Sequence, residues 1–134
     1  MNERADRGAA AVEMAFVLPL LLLLVLGIID FGRMLNAQIS VTEAAREGAR
    51  AATISSVAGA AQTRVNKVNT DYTVDTGAST FCPASPTAGS DATVVVTYTF
   101  EWITPVGGIA SMFGGASFGD DITITGKGVM PCRA

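Results

Sequence analysis

The segment Gly8-Ala9-Ala10-Ala11-Val12-Glu13-Met14-Ala15-Phe16-Val17-Leu18-Pro19-Leu20-Leu21-Leu22-Leu23-Leu24-Val25-Leu26-Gly27-Ile28-Ile29 decides the fold. Its apolar part, Ala9 to Ile29, rises roughly 30 Å as a helix, which matches the hydrocarbon core of a bilayer. Lipid offers no hydrogen bonds to free backbone groups, so a single apolar segment of this length must be helical. The run Leu20 to Leu24 also favours helix by propensity, and Pro19 is the position at which the helix could kink. The charged residues before Gly8 followed by an apolar run also describe a secretory signal. Two features weigh against cleavage as a signal: the core from Phe16 to Ile29 is long for one, and the small residues Ala9 to Ala11 precede it instead of following it. The expectation is a retained transmembrane helix.

Orientation follows from cysteine more than from charge. Arg4 and Arg7 are offset by Glu3 and Asp6, and Arg33 stands just beyond the other end, so the positive-inside count is nearly balanced. The two cysteines, Cys82 and Cys132, both lie downstream. As a disulfide they would suit an oxidising compartment and close a loop of about 50 residues; two unpaired thiols are the alternative. The amino end is therefore expected in the cytosol and the remainder outside the membrane.

Composition bounds what is left. The chain has 134 residues, 49% of them hydrophobic and 16% charged, which leaves room for one membrane helix and one small domain. A net charge of −3 offers no basic patch for nucleic acid. Histidine is absent and the cysteines lack CxxC spacing, so no triad, metal site, cofactor site or thiol redox pair is expected, and neither is a small-molecule substrate or enzymatic activity.

Beyond the apolar run, Phe31, Leu35, Gln38, Thr42, Ala45, Ala49 and Ala52 recur at spacings of three and four, which carries the helix to about Ser55. Such a rod would be roughly 70 Å long. Glu43 and Glu47 can face Arg46 and Arg50 on its polar flank. Ser40, Ala44, Ala45, Gly48, Ala49 and Ala52 form a stripe of small residues that admits close packing, although alanine is also simply a good helix former. Val57 to Arg64 adds a further turn or two of helix. A short strand is expected from Asp71 to Asp75, loop from Gly77 to Asp91, and a half-buried strand from Thr93 to Phe100 with Val94, Val96, Tyr98 and Phe100 on one face. Pro105 to Asp120 reads as a Gly-rich connection to a last strand at Ile122 to Met130. Trp102 and Phe113 read as core residues before binding residues. The expected fold class is α+β: a long N-terminal transmembrane helix extending into a small antiparallel β domain. The divisions are a leader at 1–8, the membrane helix at 9–30, its extension at 31–64 and an outer β-rich domain at 65–134.

Glu13 is the residue this reading must explain. It lies roughly 7 Å of helical rise into the apolar run, where a carboxylate costs up to about 3 kcal/mol. It could snorkel toward the headgroups or shed its charge. If the chain were cut after Gly8, the new amino group of Ala9 on a neighbouring subunit could instead meet this carboxylate and set register.

Arg7-Gly8-Ala9-Ala10-Ala11-Val12-Glu13-Met14-Ala15-Phe16-Val17-Leu18-Pro19, then Gly27-Ile28-Ile29-Asp30-Phe31-Gly32-Arg33 and Ala44-Ala45-Arg46-Glu47-Gly48-Ala49-Arg50, resemble the TadE-like family of tight-adherence (Flp-type) pilus assembly. The resemblance implies a minor pilin or pseudopilin of the type IV superfamily whose leader a prepilin peptidase removes between Gly8 and Ala9. It maps the family's conserved glutamate onto Glu13. Met14 departs from the aromatic residue common at that place. Other pilins or pseudopilins and an inner-membrane assembly platform are the implied partners, and the bacterial inner membrane is the implied location. The other reading is an uncleaved single-pass envelope anchor whose outer β domain binds a protein or surface ligand.

Overall fold

Alternating apolar residues in the strands and a face of small residues on one helix account for most of the architecture, which the computed structural model describes over residues 3–55, 57–112, 114 and 120–133. The element order is α1 (Glu3–Ala52), α2 (Ala58–Val65), β1 (Thr73–Val74), β2 (Asp91–Phe100), α3 (Val106–Met112) and β3 (Ile122–Pro131). The fold is α+β: a long, N-terminal apolar helix followed by a small three-stranded antiparallel sheet. The chain divides into two compact units, one of Met1–Arg33 with Trp102–Asp120 and the other of Met34–Glu101 with Asp121–Ala134.

Helix α1 is already formed at Glu3 and holds Pro19 within it. It ends at Ala52, short of the expected Ser55, where two β-branched residues come in succession. The Thr53 hydroxyl donates to the Arg50 carbonyl at 2.8 Å, and the Ile54 amide bonds back to Ala51 at 3.1 Å, which tightens the final turn. The stretch 31–64 is thus not one extended helix: α2 is a separate element after Val57.

In the second unit the sheet order is β1-β2-β3, antiparallel throughout. Register pairs Val94 with Gly128, Val96 with Gly126 and Tyr98 with Ile124, so these six residues share one face. On that face Val94, Val96 and Phe100 are buried, while the opposite face carries Thr93, Thr97, Thr99, Thr123 and Thr125. The buried face lies on α1. An added Cβ on Gly126 would sit 2.7 Å from the Val41 carbonyl, and one on Gly128 would run into the Ala45 carbonyl. Strand and helix backbones therefore meet where β3 has no side chain. Strand β1 is short, but the rest of that side of β2 is not left bare. The Asp75 amide donates to the Val95 carbonyl at 2.9 Å, Thr80 and Thr93 exchange backbone bonds, and the Val95 amide donates to the Ser79 hydroxyl at 2.9 Å.

Gln62 joins α2 to β1. Its amide nitrogen donates to the Tyr72 carbonyl at 2.9 Å, and its amide oxygen accepts from the Val74 N–H at 2.8 Å. The rings of Tyr72 and Tyr98 meet edge to face at 5.2 Å. Cys82 and Cys132 form a disulfide with Cα atoms 5.7 Å apart, and the Cys132 amide bonds to the Ser90 carbonyl at 2.8 Å, so the loop before β2 is tied to the end of β3. Closing a loop of this length is worth about 2 to 4 kcal/mol.

In the first unit the connection expected from Pro105 to Asp120 contains α3. The Ser111 hydroxyl donates to the Gly108 carbonyl at 2.8 Å, and the Gly114 amide closes back on the Ser111 carbonyl at 3.2 Å. These local bonds satisfy carbonyls at the end of a two-turn helix against which glycine content alone had argued. Phe113, weighed as a core residue, lies outside the described residues.

The close approach of β3 gives a direct test. Gly128→Ala is expected to lower the unfolding free energy of the full chain in detergent by about 1 to 3 kcal/mol, the usual cost of overpacking. Gly108→Ala, where an added Cβ meets nothing within 4 Å, is expected to change it by less than about 0.5 kcal/mol. Chemical denaturation followed by circular dichroism measures both.

Candidate assembly helix and its carboxylates

The residues singled out in α1 fall into two environments. Gly8, Ala9 and Glu13 are exposed, and so are Val12, Met14 and Phe16 around them. Phe16 is 78% exposed and Leu20 68%, values that no aqueous protein core would leave uncovered over several turns. Among the described residues this is one helix long and apolar enough to cross a membrane, consistent with a single-pass anchor. Glu13 therefore projects from an apolar surface, and among the described residues no cation lies within salt-bridge distance of it.

Ala44, Ala45, Gly48, Ala49 and Ala52 are placed differently. All are buried inside the second unit. An added Cβ on Gly48 would lie 3.0 Å from a Val65 methyl and 3.1 Å from a Val94 methyl, so this glycine is where α2, β2 and α1 converge. The small-residue stripe is thus occupied by the chain's own sheet and second helix. Glu47 reaches Arg64 of α2 at 3.2 Å in place of the expected neighbours Arg46 and Arg50. That pair is half exposed on both sides and contributes little to stability.

A second carboxylate was not singled out by spacing. Asp30, at the end of the apolar run, is fully buried in the first unit. The Thr104 amide donates to its Oδ2 at 3.3 Å, the Thr104 hydroxyl donates to the same oxygen, and Arg33 stands 3.3 Å from Oδ1. Leu23, Leu26 and Gly27 are half-buried and share a face with Asp30 at helical spacing, whereas Leu22, Ile28 and Ile29 are exposed. Both carboxylate oxygens therefore have donors, which is what a charge at the edge of an apolar segment requires. The available signal was an acid three residues before an arginine at the close of a membrane-length run; its partner Thr104 is remote in sequence and could not be read from it.

The Asp30 cluster orders a loop, and the second unit is a packed support for the helix end.

Residues 8–50 match the family model for TadE-like protein, a finding consistent with a TadE-like protein of the tight-adherence pilus system. No curated protein and no solved structure matches the chain.

If Asp30 holds the segment after Trp102, its removal must act locally. Hydrogen bonds to a charged group contribute about 1.5 to 3 kcal/mol each. Asp30→Ala is expected to speed amide exchange at Thr104 at least about tenfold while leaving the amides of Val94 and Val96 unchanged. Hydrogen exchange read by mass spectrometry on the full chain checks both.

Proposed function

We propose, with the TadE-like match over residues 8–50 as premise, that this chain is a minor pilin or pseudopilin that contributes to assembly or initiation of a tight-adherence type IV pilus. The observation that carries the reading is a helix exposed on its apolar length with one carboxylate, Glu13, five residues past Gly8. In this scheme a prepilin peptidase cuts after Gly8, and the amine freed on Ala9 of one subunit pairs with Glu13 of another within the apolar bundle. An unpaired carboxylate in lipid is costly, so pairing with an amine would favour one register between adjacent helices over others. The helix is held in the inner membrane with its amino end toward the cytosol, where the peptidase, the assembly platform and other pilins of the system meet it. The second unit, closed by the Cys82–Cys132 disulfide, lies outside the membrane and does no chemistry of its own.

This reading assigns separate duties to the two stretches of α1. Residues 9–29 bind lipid before assembly and neighbouring helices after it. Ala44, Ala45, Gly48, Ala49 and Ala52 are already covered, so they fasten the outer unit to the helix and do not serve as the contact between subunits.

Intact-mass and amino-terminal analysis of protein from native membranes tests the scheme. Wild type is expected to begin at Ala9, Gly8→Ala to retain the leader, and Glu13→Ala to be processed yet fail to enter or prime fibres. A wild-type product that keeps Met1 to Gly8 overturns the maturation step and leaves the uncleaved anchor in its place.

A further inference from the structure

The segment that Asp30 holds has a surface of its own to account for. From Ile103 through Gly119 the sequence has no Asp, Glu, Lys or Arg, yet it is bracketed by Glu101 before it and by Asp120 and Asp121 after it. Its two ends are clasped: the Trp102 indole N–H donates to the Asp120 carbonyl at 2.8 Å. Within that bracket Ile103 is 72% exposed and Met112 84% exposed. Thr104 fixes the start of the segment to Asp30, the residue that follows the uninterrupted apolar run of α1. The exposed Ile103 and Met112 thus belong to the same compact unit as the apolar run that the membrane reading gives to lipid.

We infer that residues 103–112 form a second membrane contact, an uncharged loop and short helix that lies in the headgroup region of the leaflet at the Asp30 end of the apolar run. The inference rests on the proposed membrane span. Three features select lipid as the occupant. Charged residues stop at Glu101 and do not resume until Asp120, so residues 103–112 lie wholly within an uncharged stretch of sequence between polar flanks. The tryptophan at its border has an apolar ring and a satisfied N–H, the combination enriched at membrane–water interfaces. The hydroxyl and amide of Thr104 are satisfied by Asp30, so the entry into the segment does not carry unpaired donors toward the acyl chains. Interfacial segments of this kind sit about 5 to 10 Å into the headgroup boundary, with a strength that scales with the apolar area they bury. Asp30 acts here as a positioning residue: it sets the depth of the segment by fixing it at one level of the helix.

The test uses the full chain in vesicles of phosphatidylethanolamine and phosphatidylglycerol, carrying an environment-sensitive fluorophore on Met112→Cys, with Lys127→Cys and Leu22→Cys as references for water and for the bilayer interior. The native disulfide leaves the introduced cysteine as the reactive thiol. At Met112→Cys, acyl chains brominated near the headgroup are expected to remove at least about half of the emission, a depth effect that chains brominated near the bilayer centre do not reproduce. Adding Asp30→Ala is expected to weaken that quenching. If the Met112→Cys label is quenched by aqueous iodide as readily as the Lys127→Cys label while Leu22→Cys stays protected, the second contact is overturned and the membrane span stands. Protection from iodide without quenching by lipid overturns it too, and assigns the surface to another protein chain. Iodide access at Leu22→Cys removes the span and the inference together.

Discussion

One helix has to satisfy two kinds of surroundings, and that constraint organises the rest of the molecule. Along residues 12–29 most of the large apolar side chains of α1 are exposed; along 41–52 one face, Val41, Ala44, Ala45, Gly48, Ala49 and Ala52, is small and buried. The first pattern favours apolar surroundings, because large aliphatic side chains in water forfeit about 1.5 to 3 kcal/mol each relative to burial. The second is stable only if something approaches closely enough to make contact with methyl groups and bare backbone. Strand β3 does so by omitting its own side chains at Gly126 and Gly128. Alanines on the helix and glycines on the strand are two halves of one packing solution, and neither half has a reason without the other.

The two carboxylates of the helix show how position decides the role of a charge. Asp30 has donors on both oxygens from within its own unit and serves local order. Glu13 has an apolar surface around it instead, which leaves its partner to be supplied from another chain in the proposed scheme. An acid supplied internally pins structure; an acid left for another chain to match confers selectivity between partners, since a mismatched neighbour would leave it buried without a counter-charge.

The sequence read well where periodicity was long and uninterrupted. A membrane-length apolar run and the alternation through Val94, Val96 and Phe100 state their structures directly, and the α+β architecture follows from them. The features it concealed depend on contacts between remote residues. Thr104 is an ordinary threonine until Asp30 is beside it, and Gln62 gives no sign of replacing a strand partner for Val74. Helix α3 was hidden by glycines that propensity counts as breakers. Gly126 and Gly128 were legible in principle, because isolated glycines inside a strand pattern signal a close backbone neighbour, but the pattern does not say that the neighbour is Ala45.

The meeting of Gly128 with Ala45 also has a temporal consequence. Its two partners are separated by most of the chain, so the part of the helix face at Val41 and Ala45 that β3 covers stays open until the last strand has been made, even though α2 and β2 reach Gly48 earlier. Domains of this topology complete their cooperative folding late, and the interval leaves apolar surface open to mispairing. Under the proposed orientation, with the second unit outside the membrane, that surface would have to stay shielded until the carboxy-terminal strand has emerged.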